Sequence, residues 1–224
     1  MINWPILDII YPSRCVFCRE LLKKDEGPIC GECVKELPWT FGRCKTTGGH
    51  FDACYSPLEY RDNAAGALLR FKFGGRTVYA RTFARLMSDC LREYSDMDFD
   101  AVTWVPLAPL RYMRRGYSQS KLLASALARE LGLPCVRMLA KRRDTPKQSG
   151  IKGAAARRAN VSGVFTSVGA AQKGKNVLIA DDVTTTGATL SECALVLKLA
   201  GARRVTAAAL CTAGNRKTAR SGRG

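Results

Sequence analysis

The chain has 224 residues, of which 46% are hydrophobic and 25% are charged. These are globular values, and the length allows one solid domain and a small second one. The net charge is +17, from 36 Lys and Arg against 19 Asp and Glu. Such a balance favours polyanionic partners, either nucleic acid or phosphorylated ligands, although a solvated basic surface has the same composition. The chain has one His, which argues against Ser–His or Cys–His catalysis.

The N-terminal segment lacks the features of a secretory signal. Its first 13 residues contain no Lys or Arg, and Asn3, Pro5 and Asp8 interrupt their apolar stretch. No segment approaches the roughly 18 to 20 apolar residues of a membrane span, so we expect no membrane insertion. We expect a cytoplasmic protein, in which ten cysteines indicate metal binding before disulfides.

Two C-x2-C pairs near the N-terminus predict a structural zinc site. They are separated by eleven residues and consist of Cys15, Cys18, Cys30 and Cys33. Four thiolates from two such pairs form the tetrahedral ligand set that structural Zn²⁺ takes. A segment this short cannot build a sufficient core alone, so the metal would supply much of its folding free energy. A redox dithiol is the competing interpretation.

The remaining cysteines divide into two groups. Cys44 and Cys54 flank the only histidine, His50; the three residues are either a second metal site or ordinary buried thiols with a histidine between them. Four further cysteines sit in apolar contexts, where we expect core residues: Cys90, Cys135, Cys193 and Cys211.

The middle of the chain predicts alternating strands and helices. We expect a strand over 56–60, a helix over 64–71 with Leu68 and Leu69 inward, and a second helix over 79–94. A strand over 101–105 ends at Pro106, and a helix over 118–131 stops at Gly132.

Two basic segments lie between these elements. The loop 106–117 follows a predicted strand and contains Arg111 and Arg115, whose guanidinium groups can grip phosphate bidentately. The segment 141–165 is basic and rich in Gly, and it predicts either a mobile flap or a groove for a nucleic-acid backbone. Its candidate residues are Lys141, Arg142, Arg143, Lys147, Gln148, Arg157 and Arg158. Either segment can also be a solvated basic loop.

The most informative motif lies at 177–189. Four apolar residues predict a buried parallel strand that ends at Asp181 and Asp182, and a hydroxyl-rich turn then leads into a helix. A helix N-terminus binds anions through its free N–H groups. The turn consists of Val183, Thr184, Thr185, Thr186, Gly187, Ala188 and Thr189. The carboxylates do not suit phosphate but do suit a vicinal diol, so we expect a sugar 5-phosphate site; a βα unit with helix-capping threonines is the alternative.

This motif resembles the signature of the type I phosphoribosyltransferases over its whole length. The resemblance implies an α/β fold in which a parallel sheet is flanked by helices, and a ligand, 5-phosphoribosyl 1-diphosphate (PRPP), bound with Mg²⁺. It implies that Asp181 and Asp182 hold the ribose diol, that the turn holds the 5-phosphate, and that Arg111 and Arg115 take the pyrophosphate. The 141–165 segment would close over PRPP.

The order of motifs along residues 1–212 resembles the ComF/GntX family of competence proteins. The motifs are the four-cysteine ribbon, Leu-Leu-Arg-Phe-Lys-Phe, Trp-Val-Pro-Leu, Arg-Arg-Gly-Tyr-Ser-Gln, Arg-Asp-Thr-Pro-Lys-Gln-Ser-Gly and the acid-pair motif. The resemblance implies a role in DNA uptake, handling of single-stranded DNA and contact with other uptake proteins. We expect a zinc-ribbon module at 1–55 and a phosphoribosyltransferase-like domain at 56–215, and the basic composition of 216–224, with few apolar anchors, predicts a disordered tail.

Three functions remain open at this point. The first is transfer of phosphoribosyl from PRPP to an acceptor with release of pyrophosphate. Thr185 stands where purine-transferring relatives carry Asp, which disfavours a purine acceptor. The second is a non-catalytic protein that binds single-stranded DNA through basic loops and the ribbon, with Tyr112, Tyr117, Phe71 and Phe73 either stacking on bases or packing internally. The third, redox regulation, rests only on the Cys pairs.

Overall fold

A computed structural model of the chain describes residues 13–24, 26–108, 112–113, 116–142 and 163–213. Five α-helices and eight strands are described in these ranges, with a 3-10 turn at Phe41–Arg43. The helices are α1 (Gly31–Glu36), α2 (Asp62–Phe73), α3 (Tyr79–Tyr94), α4 (Gln119–Leu131) and α5 (Ala188–Leu199). The strands are β1 (Lys45–Gly48), β2 (Phe51–Tyr55), β3 (Leu58–Glu59), β4 (Ala101–Trp104), β5 (Leu139–Lys141), β6 (Phe165–Ser167), β7 (Asn176–Thr184) and β8 (Arg204–Thr212).

The main sheet has six strands in the order β1-β2-β8-β7-β4, and β3 also pairs with β8. Strands β2, β3 and β7 run parallel to β8, and β4 runs parallel to β7. Only β1 is antiparallel, to β2. The predicted parallel sheet flanked by helices is therefore confirmed. The β1–β2 hairpin belongs to this sheet although it lies within the predicted ribbon module at 1–55, and the proposed division into domains stays a prediction.

The sheet buries a different set of side chains on each face. Alternate residues of β7 separate cleanly: Leu178 and Ala180 pack in the cluster with α2, α3 and α4, while Val177 and Ile179 pack in the cluster with α5. This is the period of two that a strand imposes on its side chains. Both faces of β7 are covered, which explains why its first half is a continuous apolar run.

The helices follow the predicted positions closely, with two differences in which residues are buried. Helix α4 begins after Ser118, whose Oγ accepts from the Lys121 N–H at 3.4 Å, and it ends at Gly132, which has φ of 68°. Helix α2 buries Leu68 but leaves Leu69 47% exposed, so the inward orientation predicted for Leu69 was wrong. Cys135 was predicted in the core and is exposed, whereas Cys90, Cys193 and Cys211 are buried.

The N-terminal ribbon packs on α2 and α3 through an aromatic cluster. Phe17, between the first two cysteines, is 1% exposed and lies 5.8 Å from the Phe83 ring. Phe83 in turn contacts Phe71 and Tyr79 at 5.5 and 5.9 Å between ring centroids. Burial of such large rings supplies an apolar base that the short ribbon cannot build alone.

The helices of the described part of the chain are all too short or too polar to cross a membrane.

Candidate functional site

Strand β7 continues through the acid pair instead of ending there. It extends to Thr184, so the predicted strand end at Asp181 was too early. Adjacent residues on a strand direct their side chains to opposite faces, and the surroundings of the two acids differ accordingly. Asp182 lies close enough to Cys211 to affect its ionisation, whereas Asp181 does the same to Cys54 and Cys193.

Asp182 forms an ion pair with Lys72, the next-to-last residue of α2. The Lys72 Nζ lies 2.9 Å from Asp182 Oδ1, and the two side chains are 20% and 13% exposed. Burial lowers the pKa of Lys72, but the neighbouring acidic groups, first Asp182 and then Asp181, together outweigh burial, so the pKa is raised overall. Lys72 is therefore a fixed cation directly beside the acid pair.

Asp181 is held by two donors at one carboxylate oxygen. Its Oδ1 accepts from Ser120 Oγ at 2.7 Å and from the Asp182 backbone N–H at 2.9 Å. Burial, and next the charge of Asp182, raise the pKa of Asp181 to about 7, although both hydrogen bonds and Lys72 oppose the rise. This carboxyl therefore titrates near neutral pH, and a ligand hydroxyl can meet it as acceptor or as donor.

The hydroxyl-rich turn after β7 leads directly into α5. Thr184 is buried, Thr185 and Thr186 are exposed, and Thr186 Oγ1 accepts from the Ala188 N–H at 3.4 Å. The N-cap of α5 is Gly187, which has no side chain to cap the helix. The N-terminus of α5 thus lies at this turn, where its positive end faces the position that the motif assigns to an anion, and binding of an anion there stays a prediction.

Gly187 is required for this turn by two separate features. Its φ is 71°, a left-handed conformation that residues with a side chain rarely adopt. A Cβ at this position would also lie 3.2 Å from two atoms of the Phe51 ring. The Phe51 ring on β2 therefore packs directly against the turn at Gly187.

The loop after β4 meets the acid pair at the same edge of the sheet. Trp104 pairs with Ala180, the residue before Asp181. The loop also joins α2, because the Tyr117 hydroxyl donates to the Phe71 carbonyl at 2.6 Å and Gln119 Nε2 donates to the Lys72 carbonyl at 3.1 Å. The predicted phosphate ligands Arg111 and Arg115 lie outside the described residues, so their role stays a prediction.

Strands β5 and β6 form a separate antiparallel pair on either side of the predicted flap. Lys141 ends β5 with its Nζ 5.6 Å from the Phe165 ring centroid, and the Arg142 N–H donates to the Val164 carbonyl at 2.8 Å. The other five flap candidates are outside the described residues: Arg143, Lys147, Gln148, Arg157 and Arg158.

The four predicted zinc ligands come together at the N-terminus. The sulfur atoms of Cys15, Cys18, Cys30 and Cys33 all lie within 4.8 Å of one another, and those of Cys18 and Cys30 are 3.6 Å apart. A tetrahedral zinc with Zn–S bonds of about 2.3 Å separates its sulfurs by about 3.8 Å. The cluster therefore has the donor chemistry and the spacing of a structural zinc site.

Hydrogen bonding prepares part of this cluster for a cation. Burial opposes ionisation of Cys15, but backbone N–H groups, first that of Cys30, lower its pKa to about 7. Burial and the neighbouring thiols raise the pKa of Cys33. Four thiols this close cannot all ionise without a cation between them, and a bound dication removes that penalty.

The second candidate metal set is not assembled in the structure. Cys44 and Cys54 are buried thiols, while His50 is exposed at the hairpin turn and donates its backbone N–H to Ser191 Oγ at 3.0 Å. Within the part of the chain that the structure describes, the four-cysteine cluster is the one group with metal-binding geometry. This arrangement fits the alternative of ordinary buried thiols.

Sequence reasoning missed three residues that hold the two centres in place. Lys72 contacts Asp182, Ser120 contacts Asp181, and Arg70 donates from its guanidinium to the Val16 and Phe17 carbonyls of the ribbon. The available signal was a pair of cations in the otherwise apolar run Leu-Leu-Arg-Phe-Lys-Phe. Cations inside an apolar helical face are uncommon without partners.

Two protein-family models match the chain. The double zinc ribbon domain matches residues 6–63, and the phosphoribosyl transferase domain matches residues 118–222. The first match covers the four-cysteine cluster, and the second covers the acid pair with its turn.

Three curated relatives match over most of their own length. Competence protein F of Haemophilus influenzae is 31% identical over 209 residues, which are 89% of this chain and 90% of that protein. Competence protein ComFC of Bacillus subtilis is 29% identical over 84% of this chain and 80% of its own. DNA utilization protein YhgH of Escherichia coli K12 is 28% identical over 89% of this chain and 97% of its own.

Proposed function

The chain belongs to the Competence protein F family, with a double-zinc-ribbon and a phosphoribosyl transferase domain, and from this premise we propose that it binds PRPP with Mg²⁺. The observation that carries the proposal is the acid pair in the last part of β7, close to the N-terminus of α5. The 5-phosphate would meet the first turn of α5, and the ribose hydroxyls would meet Asp181 and Asp182. Arg111 and Arg115 would take the pyrophosphate.

The acid pair distinguishes this proposal from simple polyanion binding. Two carboxylates beside an anion site repel a phosphate backbone, so a protein that bound only nucleic acid would gain nothing from them. A sugar phosphate uses both features, since its hydroxyls donate to the carboxylates while its phosphate faces the N–H groups. We therefore propose a sugar-phosphate site in which Mg²⁺ is held mainly by the oxygens of the ligand.

The proposed reaction is transfer of phosphoribosyl from PRPP to an acceptor, with departure of pyrophosphate. The chain would contribute carboxylates near the developing positive charge of the ribose and cationic groups near the leaving pyrophosphate. Thr185 is exposed on the turn and cannot accept a proton at neutral pH, so the proposal does not extend to a purine acceptor. We place the reaction in the cytoplasm, where cysteines without disulfides are stable, as all ten are in the structure.

The test is calorimetric titration of the zinc-quantified protein with PRPP and Mg²⁺. We expect saturable binding that the Asp181→Asn/Asp182→Asn double variant loses. The double variant raises the net charge by two and should attract any anion more strongly, so weaker binding identifies a specific role of the carboxylates. Asp96→Asn/Asp98→Asn removes the same charge before β4, at the opposite edge of the sheet, and should bind like the wild type. Binding retained by the first double variant would contradict the site assignment.

A second candidate function is binding of single-stranded DNA in the uptake role that the relatives' names indicate. Phe73 at the end of α2 is 64% exposed and Tyr112 in the loop after β4 is 51% exposed, whereas Phe71 is buried in the core. Exposed aromatic rings among cations suit stacking of unpaired bases. Anisotropy of a labelled oligothymidylate at two salt concentrations tests this function. Phe73→Ala/Tyr112→Ala should weaken DNA binding, while loss of Asp181 and Asp182 should strengthen it; equal affinity in all three proteins would reject the assignment.

A further inference from the structure

Lys72 is anchored in the proposed site from several directions. It lies in the last turn of α2, and its own carbonyl accepts from Gln119 Nε2 at the start of α4. The preceding residue, Phe71, is fully buried and its carbonyl accepts from Tyr117. The helix end that carries Lys72 is therefore fixed to the loop after β4, and the side chain reaches Asp182 from a rigid base.

The charges at the site would conflict without this lysine. Asp181 and Asp182 are consecutive, both are at least half-buried, and they lie beside a helix N-terminus that we expect to hold phosphate. An anion bound there meets repulsion from any ionised carboxylate nearby, and low exposure strengthens that repulsion. The Lys72 ammonium, 2.9 Å from Asp182 Oδ1, is the described cation that directly contacts the pair.

We propose that Lys72 is a positioning residue for the sugar phosphate: its ammonium fixes the Asp182 carboxylate and offsets the charge of the acid pair, so that the pair accepts ribose hydroxyls without repelling the phosphate groups. The inference rests on the proposed function, because it concerns the same site. It adds a requirement to the proposed site: besides the helix N-terminus and the two carboxylates, binding needs a cation that offsets the charge of the acid pair. A bound PRPP places negative charge on both sides of its ribose. The Lys72 ammonium, held against the acid pair, reduces the electrostatic repulsion between these phosphate groups and the carboxylates.

Among the described residues, Lys72 is the cation that forms an ion pair with the acid pair, while Lys141 on β5 lies close enough to Cys193 to affect the ionisation of that thiol. Cys54 faces Asp181 from β2, and Cys211 faces Asp182 from β8; burial raises the pKa of each thiol to about 12, so both are neutral. Burial also raises the pKa of Cys193 on α5. Tyr60, which follows β3, is close enough to Lys72 to affect the pKa of its ammonium. The thiols and the Tyr60 phenol cannot replace the ammonium.

Lys198 provides a matched control for the loss of this lysine. Its Nζ lies 2.9 Å from Asp52 Oδ1, the same separation as in the Lys72 pair, and its side chain is 35% exposed. It lies in the last turn of α5, at the end away from the phosphate turn. Lys198→Met therefore removes the same charge and an ion pair with the same N–O distance without touching the proposed site.

The experiment compares PRPP and Mg²⁺ binding at pH 6.5, 7.5 and 8.5 in five proteins: the wild type, Lys72→Met, Lys72→Gln, Lys72→Arg and Lys198→Met. We expect Lys72→Met and Lys72→Gln to bind at least about tenfold more weakly at pH 7.5. The deficit should grow toward pH 8.5, because Asp181 is then ionised and the acid pair carries its full charge against the phosphate groups, whereas a proton on Asp181 relieves part of that repulsion at pH 6.5. Lys72→Arg should recover most of the affinity, and Lys198→Met should bind like the wild type.

The outcomes separate this inference from the proposed function. Wild-type protein that binds no PRPP would reject the proposed function and the role of Lys72 together. Wild-type binding with equal affinity in both neutral Lys72 variants would overturn only the role of Lys72. A deficit of the same size at every pH, not relieved by Lys72→Arg, would also overturn it, because it would show a packing effect without the charge. Circular dichroism and zinc content of each variant establish that the compared proteins are folded.

Discussion

Arg70 and Lys72 lie two residues apart on α2 and hold different centres of the molecule. The Arg70 guanidinium donates to the Val16 and Phe17 carbonyls of the ribbon, while the Lys72 ammonium contacts Asp182 at 2.9 Å. Residues two positions apart on an α-helix are separated by about 200° around its axis, so their side chains leave on nearly opposite sides. One helix turn thus connects the four-cysteine cluster with the acid pair.

Loss of the Arg70 side chain should loosen the ribbon. Arg70→Met removes two hydrogen bonds to carbonyls between Cys15 and Cys18, and we expect a loss of about 1–3 kcal/mol in the free energy of unfolding. Zinc should pass faster to a chromogenic chelator. Arg92→Met is the control, since Arg92 donates to the Glu130 carbonyl on an exposed surface. Equal zinc release from both variants would contradict the role of Arg70.

Zinc stoichiometry should be one ion per chain, although the matching family model is a double ribbon. All ten cysteines lie in the described ranges, and four of them form the cluster. Cys15→Ser or Cys30→Ser should release the metal and lower the melting temperature, because the metal contributes directly to folding. Cys135→Ser changes an exposed thiol and should do neither. Two zinc ions per wild-type chain would show that a second site exists.

Asp181→Asn should stabilise the protein at alkaline pH. The pKa of Asp181 is raised from 3.8 to about 7, so between these values the folded protein keeps a proton that the unfolded chain has lost. The free energy of unfolding therefore falls as pH rises from about 4 to about 7, and the cost is fully present above pH 7. Asp181→Asn has no such carboxylate, so its free energy of unfolding at pH 8 should exceed that of the wild type by an amount on the order of a few kcal/mol. The difference between the two proteins should vanish near pH 4, where the wild-type carboxyl becomes protonated in both states.

Asp182→Asn is the contrasting variant for this measurement. It leaves the Lys72 ammonium, which is 20% exposed, without its carboxylate partner, so we expect destabilisation across pH 5 to 8. Urea unfolding at several pH values measures both variants. Parallel pH profiles for the wild type and Asp181→Asn would contradict the raised pKa.

Gly187→Ala should destabilise the phosphate turn by about 1–3 kcal/mol. The added Cβ would meet the Phe51 ring at 3.2 Å in a backbone conformation with φ of 71°. Gly174→Ala separates the two causes, because Gly174 has φ of 66° and nothing within 4 Å of an added Cβ. We expect Gly174→Ala to cost less in urea unfolding and to leave PRPP binding intact. Equal losses in both variants would assign the whole effect to backbone conformation.

The sequence by itself determined the features that depend on neighbours along the chain. The paired C-x2-C spacing predicted the cluster that the structure assembles, and Ser118 and Gly132 marked the ends of α4. The apolar run at 177–180 predicted a buried strand, and the hydroxyls and Gly187 after it predicted the turn into α5. Local periodicity and turn chemistry suffice for such features, because their physical causes lie within a few residues.

Only the tertiary structure decided which partners hold the acid pair and the ribbon. Ser120 and Asp181 are 61 positions apart, and Arg70 and Val16 are 54 positions apart. Such contacts arise because β4, β7 and β8 run parallel, and because the end of α2 lies beside the acid pair near the carboxyl end of β7. The extension of β7 to Thr184 likewise depends on pairing with β8, where Val183 meets Cys211 and Thr184 meets Thr212. Hydrogen bonds between distant strands override the local signal of two carboxylates, which alone predicts a strand end.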